Sequence, residues 1–87
     1  MNIEETIRQK ISEHLNPKEF KVINQSHLHA GHAGDDGSGQ THFKVVVVSS
    51  KFNGMQMVLR HRMVNELLSD CFNNGLHALS LDLKPED

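Results

Sequence analysis

Apolar residues recur at every fourth position near the start of the chain, and charged residues fill the positions between them. Side chains at this spacing share one face of an α-helix, so the pattern predicts a helix over residues 2–15. We expect Asn2 to cap its start, and Asn16 followed by Pro17 to end it. The apolar residues of this stripe are Ile3, Ile7, Ile11 and Leu15.

Three later segments have the patterns of β-strands. Residues 19–26, EFKVINQS, alternate in part, and residues 41–50, THFKVVVVSS, contain four consecutive β-branched valines. Residues 77–83, HALSLDL, alternate regularly, which predicts that His77 faces the core together with the leucines. Apolar residues on both sides of the second strand predict either that it is the central strand or that one of its faces is used by a partner.

Residues 55–73 predict a second helix, which the NNG sequence at 73–75 ends. Arg60 and His61 fall on the apolar face of this helix, where they need hydrogen-bonding partners, whereas Arg62 points away. The residues predicted on the apolar face are Met57, Val64, Leu67, Leu68, Cys71 and Phe72.

The predicted order is α-β-β-α-β, within a single domain over residues 1–87. A right-handed crossover through the second helix makes the last strand parallel to the second strand. We therefore expect an α+β fold in which both helices pack on one face of a three-stranded mixed sheet, as in a small KH-like domain. Residues 26–42 are expected to form a flexible loop rich in glycine and histidine, and residues 84–87 a polar tail.

Composition narrows the range of functions. The chain has 87 residues, a net charge of −2, and neither Trp nor Tyr, which disfavours a base-stacking platform and a strongly basic DNA-binding surface. Its one cysteine, Cys71, excludes an intrachain disulfide and indicates a reducing compartment; we expect it to be structural. No apolar run is long enough to cross a membrane, and no signal segment is recognised.

Seven histidines are the main candidates for chemistry, and four of them lie between residues 26 and 43. None has the spacing of a zinc motif. The topology brings His29, after the first strand, towards His77, at the start of the third strand. Two imidazoles do not complete a metal site, so we expect other ligands from an interface. The candidates are His27, His29, His32, His42, His61 and His77, of which we expect His42 to belong to the strand entry.

Other sites are not predicted. No Gly-Lys-Ser/Thr sequence follows the loop glycines, which disfavours nucleotide binding, and Asp35 and Asp36 lack a third acid at calcium-loop spacing. Ser26 lies near His27 and His29 but has no placed acid to orient a base. We therefore expect that the protein is not an enzyme.

Four stretches together resemble the BolA family: NQSHLHAGHAG, GQTHFKVVVVSSKFNG, RHRMVNELL and LHALSL. The resemblance covers the chain from about residue 20 and implies the same α-β-β-α-β fold. It also implies a partner, a monothiol glutaredoxin, with which BolA proteins form heterodimers that bridge a [2Fe-2S] cluster. The isolated protein is expected to carry no cofactor.

The ligands of this cluster follow from the resemblance. The glutaredoxin supplies a cysteine, glutathione supplies a second thiolate, and the BolA protein supplies His77 and a loop residue that aligns with His29. Many family members have a shorter loop with one histidine, whereas here His27 and His32 flank His29 and remain alternative ligands. The implied location is the cytoplasm of a bacterium or the matrix of an organelle.

The resemblance also implies a second function, because some BolA proteins are described as DNA-binding transcriptional regulators of morphology and stress responses. Arg60 and Arg62 would then contact nucleic acid. The partner interface is expected to include His29, His77 and Arg62. The chain alone is expected to be a monomer or a weak dimer.

Overall fold

The computed structural model describes residues 2–29 and 39–86, with only the main chain of Leu28 and His29. His32 and the Asp35–Asp36 pair lie outside the described residues. Three strands form the sheet of the described part: β1 (Glu19–Asn24), β2 (His42–Ser49) and β3 (Ala78–Pro85). The helices are α1 (Ile3–Leu15), α2 (Met57–Leu67) and α3 (Ser69–Asn73), and 3₁₀ turns lie at Ser26–His29 (η1) and Ser50–Phe52 (η2).

Strand β2 is the central strand of the sheet, as predicted. It pairs antiparallel with β1 and parallel with β3. Val45 is aligned with Val22 of β1 and Leu81 of β3, so these side chains lie on one face of the sheet. The helices cover that face, which confirms the predicted α+β architecture.

The stripe on α1 is buried in the hydrophobic core, as its spacing predicts. All four of its apolar residues are at most 2% exposed. The Asn2 side chain accepts a hydrogen bond from the Glu5 amide, and Asn16 ends the helix in a left-handed conformation. The hydrophobic core to which this stripe belongs consists of Ile3, Ile7, Ile11, Leu15, Val22, Phe43, Val45, Val47, Phe52, Val64, Leu68, Cys71, Leu76 and Leu83.

The second helical region differs from the single helix predicted over 55–73. It is divided at Leu68, whose backbone (φ −100°, ψ 16°) departs from helical geometry while its side chain is fully buried. Cys71 is fully buried, as predicted, whereas Phe72, which was predicted on the same apolar face, is 38% exposed. The predicted burial of Met57 is also wrong, since its side chain is 66% exposed.

The side chain of Arg60, in the first turn of α2, connects the residues before this helix to strand β3. Its Nε donates to the Met55 carbonyl at 2.9 Å and its Nη1 to the Leu83 carbonyl at 3.2 Å. These bonds confirm the expectation that a polar group on this face of the helix has partners.

Two strand ends differ from their predicted positions. Strand β1 ends at Asn24, not at residue 26, because the Asn24 side chain accepts a hydrogen bond from the Ser26 amide and begins η1. The predicted polar tail at 84–87 is wrong for its first half. Lys84 and Pro85 pair with Val48 and Ser49 and therefore belong to β3.

We predict that Ser49→Ala destabilises the protein by about 1–3 kcal/mol, because it removes the partner of a buried carbonyl. The fully buried Ser49 hydroxyl donates to the Leu15 carbonyl and accepts from the Lys51 amide at 3.1 Å, which joins the end of α1 to the end of β2. Urea unfolding followed by far-UV circular dichroism measures the change. The control is Ser50→Ala, at an exposed position, which is expected to change stability by less than about 0.5 kcal/mol.

Candidate functional site

The candidate site lies at the end of the sheet where β2 and β3 begin and β1 ends. The antiparallel pairing places Asn24 opposite Phe43, and the parallel pairing places His42 opposite Ala78. The η1 turn, which follows β1, and His77, which precedes β3, are therefore brought to the same end of the sheet. The predicted topology likewise places the elements that carry His29 and His77 at one end of the sheet; the approach of the two side chains stays a prediction.

The Ser26 hydroxyl fastens the η1 turn to the start of β2. Its Oγ accepts from the Thr41 amide at 3.0 Å and the His42 amide at 3.1 Å, and donates to the His42 carbonyl at 3.4 Å. Ser26 is itself 4% exposed. Nearby, the Asn24 side chain donates to the Gly39 carbonyl at 2.8 Å. The two ends of the 26–42 segment are thus held together by side chains.

Thr41, which is hydrogen-bonded to Ser26, also connects this region to the start of β3. Its carbonyl accepts from the amides of His77 and Ala78, at 2.9 and 3.0 Å. Its hydroxyl lies 2.8 Å from Nδ1 of His42, and its side chain is fully buried. One residue therefore bonds to the main chain before β3, to the η1 turn and to an imidazole.

His77 is exposed and lies directly before β3, so the prediction that it faces the core with the leucines is wrong. The His77 amide donates to the Thr41 carbonyl, a hydrogen bond that lies outside the regular ladder of β3. Its ring lies 5.3 Å from the ring of His42, centroid to centroid, at an interplanar angle of 51°. His42 begins β2, as expected, and is buried at 6% exposure.

The other predicted ligands are placed differently. His29 is the last residue of η1, and His27, in the same turn, is exposed. His61 is half-buried on α2 and does not belong to the segments that meet at this end of the sheet. Among the described residues, no group of three His, Cys, Asp or Glu side chains is arranged to hold a metal ion. The described part of the site supplies at most some of a metal's ligands.

The remaining candidates divide into a structural residue and an exposed one. Cys71 is fully buried, and burial raises the pKa of its thiol above the ordinary value; Lys10 lowers it and Asp70 raises it to smaller extents. A buried thiol of this kind is a poor nucleophile and a poor ligand. Arg62 is exposed on α2, in a shallow surface hollow lined by Val58, His61, Arg62, Asn65, Glu66 and Ser69.

Comparison with known protein families identifies the fold and its relatives. The sequence model of the BolA-like protein family matches residues 11–87. The chain belongs to the BolA family. Among solved structures, the BolA domain of SufE1 from Arabidopsis thaliana superposes with a TM-score of 0.85 at 41% identity, covering 94% of this chain and 90% of that one. BolA1 from the same plant gives a TM-score of 0.84 at 43% identity, with 94% and 89% covered.

Relatives in the BolA family differ in length and in name. An uncharacterized protein from the cobS 5′ region of Sinorhizobium sp is 47% identical, with 94% of this chain and 89% of the relative aligned. The chain spans only 22% of the Arabidopsis SufE-like protein 1, which is 45% identical over 90% of this chain. A 42% identical Vibrio cholerae relative, aligned over 91% of this chain and 71% of its own length, is named DNA-binding transcriptional regulator BolA.

The Vibrio cholerae relative and one from Haemophilus influenzae, 38% identical, are both named as regulators. Some plant relatives are chloroplastic or mitochondrial by name, and others are bacterial. No helix of residues 2–29 and 39–86 is long and apolar enough to span a membrane.

Sequence reasoning did not predict the parts played by Ser26 and Thr41. The sequence places Ser26 at the end of the first predicted strand and Thr41 at the beginning of the second, without indicating their hydrogen bonds. A usable signal was their position, since one follows β1 and the other precedes β2, at the end where an antiparallel pair connects. Hydroxyl side chains at such positions commonly bond to nearby main-chain groups.

We predict that Ser26→Ala destabilises the protein by about 1–3 kcal/mol, because it leaves the buried Thr41 and His42 amides without their acceptor. Hydrogen exchange of these two amides is expected to accelerate more than exchange in α1. The control is Ser80→Ala, at an exposed position of β3. Equal exchange rates of these amides in Ser26→Ala and the wild type would contradict their assigned hydrogen bonds to the Ser26 hydroxyl.

Proposed function

We propose that this BolA-family chain pairs with a monothiol glutaredoxin to bind a bridging [2Fe-2S] cluster. Its role is then that of an adaptor in iron–sulfur cluster assembly, trafficking or iron-status signalling. The observation that carries the proposal is the exposed His77 imidazole beside the attachment point of the His27–His29 turn. The resemblance to the family supplies the identity of the partner and of the cluster.

The residues present suit a shared cluster. An imidazole is an established ligand of [2Fe-2S] iron, and mixed histidine and thiolate ligation raises the reduction potential relative to four thiolates. His77 is exposed, so a group held by another protein can reach it. His29 is the second ligand in the proposal, with His27 and His32 as its alternates, and all three belong to the 26–42 segment.

The rest of the ligand set comes from the partner. A [2Fe-2S] cluster has four protein or cofactor ligands, and two histidines from this chain leave two positions. The glutaredoxin cysteine and the glutathione thiolate fill these positions in the proposed complex. The buried Cys71 does not compete for the cluster, because burial keeps its thiol protonated and inaccessible.

We predict that His77→Ala abolishes the change that this protein produces in the visible circular dichroism of a cluster-loaded monothiol glutaredoxin with glutathione. The wild type is expected to give a new spectrum at one-to-one ratio, because imidazole replaces a ligand of the cluster. His14→Ala is the matched control, since His14 is an exposed histidine at the end of α1. It is expected to behave as the wild type.

Single and combined alanine variants of His27, His29 and His32 identify the loop ligand in the same assay. His29→Ala is expected to have the largest effect of the three. If the complex with His77→Ala gave the same spectrum as the complex with the wild type, His77 would not be a ligand.

A second function, DNA-binding transcriptional regulation, is favoured by the names of the Vibrio cholerae and Haemophilus influenzae relatives. The structure bears on which cation would act. Arg62 is exposed on α2, whereas the Arg60 guanidinium is bound to two carbonyls of its own chain. Arg62 is therefore the stronger candidate for a phosphate contact, although Glu66 lies in the same hollow.

If this chain binds DNA, Arg62→Gln is expected to weaken binding and to lower the slope of log affinity against log salt by about one. Fluorescence anisotropy with a labelled duplex over a series of salt concentrations measures both. Lys18→Gln removes an exposed cation outside α2 and serves as the control. The absence of binding at low salt would exclude this function.

A further inference from the structure

We propose that His42, held by Thr41, is a positioning residue for the His77 imidazole. This inference deepens the proposed function, in which His77 is a cluster ligand, and rests on it for its effect on the cluster. The arrangement of the two rings can be tested in the protein alone.

The His42 ring is fixed on the protein side. Its side chain is buried, and its Nδ1 lies 2.8 Å from the Thr41 hydroxyl, which is also buried. Its main chain is fixed as well, because the His42 amide donates to Ser26 Oγ and its carbonyl accepts from the Gln25 amide at 2.8 Å. A ring restrained in this way has little freedom to rotate.

His77 is exposed, and its ring lies beside the restrained ring of His42. The centroid separation of 5.3 Å and the tilt of 51° place the rings in the range of favourable aromatic contacts. The His77 amide is held by the carbonyl of Thr41, the same residue whose hydroxyl contacts His42. Backbone and side chain of His77 thus take their positions from one pair of adjacent residues.

A ligand that is already oriented loses less rotamer freedom when it binds. Residues that orient a metal ligand without touching the metal commonly change affinity about 10- to 100-fold when they are replaced. We expect the loss of His42 to act in this way. The cluster would still form with His77, but it would be released about tenfold faster from the complex.

The first test measures the χ1 rotamer populations of His77 by three-bond NMR couplings in the unliganded protein. One dominant rotamer is expected in the wild type. Averaged couplings are expected in His42→Ala and in Thr41→Val, which keeps the size of the side chain but removes the hydroxyl. Thr41→Ser, which keeps the hydroxyl, should restore the dominant rotamer, and His14→Ala should not change it.

Averaged couplings in the wild type would overturn the proposal even if no variant folds. So would an unchanged dominant rotamer in a folded His42→Ala protein, including one with lowered stability, because His42 would then be structural only.

The second test follows the rate of cluster loss from the glutaredoxin complex by visible circular dichroism. Faster loss in His42→Ala with a wild-type starting spectrum supports the positioning role, and wild-type loss overturns it. A His77→Ala complex with the same spectrum as the wild-type complex would instead refute the role of His77 in the cluster function. The rotamer measurement would still decide whether His42 positions His77.

Discussion

Strand β2 hydrogen-bonds along both edges, and the positions of the other elements depend on this double pairing. Its antiparallel side requires β1 to end where β2 begins, and its parallel side requires β3 to begin there as well. The crossover from β2 to β3 must pass over one face of the sheet, which places α2 and α3 beside α1. Val45 and Val47, both fully buried, are the side chains of β2 against which these helices pack.

The candidate site is a consequence of the same pairing. Three chain segments meet at one end of the sheet, and the regular ladders leave main-chain groups there that need partners. The Ser26 hydroxyl accepts from the amides of Thr41 and His42, and the Thr41 carbonyl accepts from the amides of His77 and Ala78. Because the Ser26 hydroxyl joins η1 to the start of β2 and the Thr41 carbonyl accepts from the His77 amide, hydrogen bonds connect the two regions that carry the proposed ligands.

Much of this fold follows from sequence periodicity, while the direction of individual site residues does not. The stripe of α1 and the four valines of β2 repeat over enough residues to fix element type, order and the central strand. His77 was assigned to the core because alternation was extended one residue beyond the strand. His77 lies before β3 and its amide donates to the Thr41 carbonyl, and no local pattern encodes a contact between residues 36 positions apart. The break at Leu68 is similar, since neither Gly nor Pro marks it.

The division between a buried and an exposed histidine suits a shared cluster better than a site held by one protein. A complete metal site buries its ligands and excludes other donors, whereas a ligand offered to a partner must remain accessible. Accessibility normally means side-chain freedom, which is lost at a cost when the complex forms. Placing a buried ring beside the exposed ring lowers that cost without closing the site. In the proposed complex, therefore, His77 remains accessible to the partner, while the neighbouring His42 ring restrains the direction in which the His77 imidazole points.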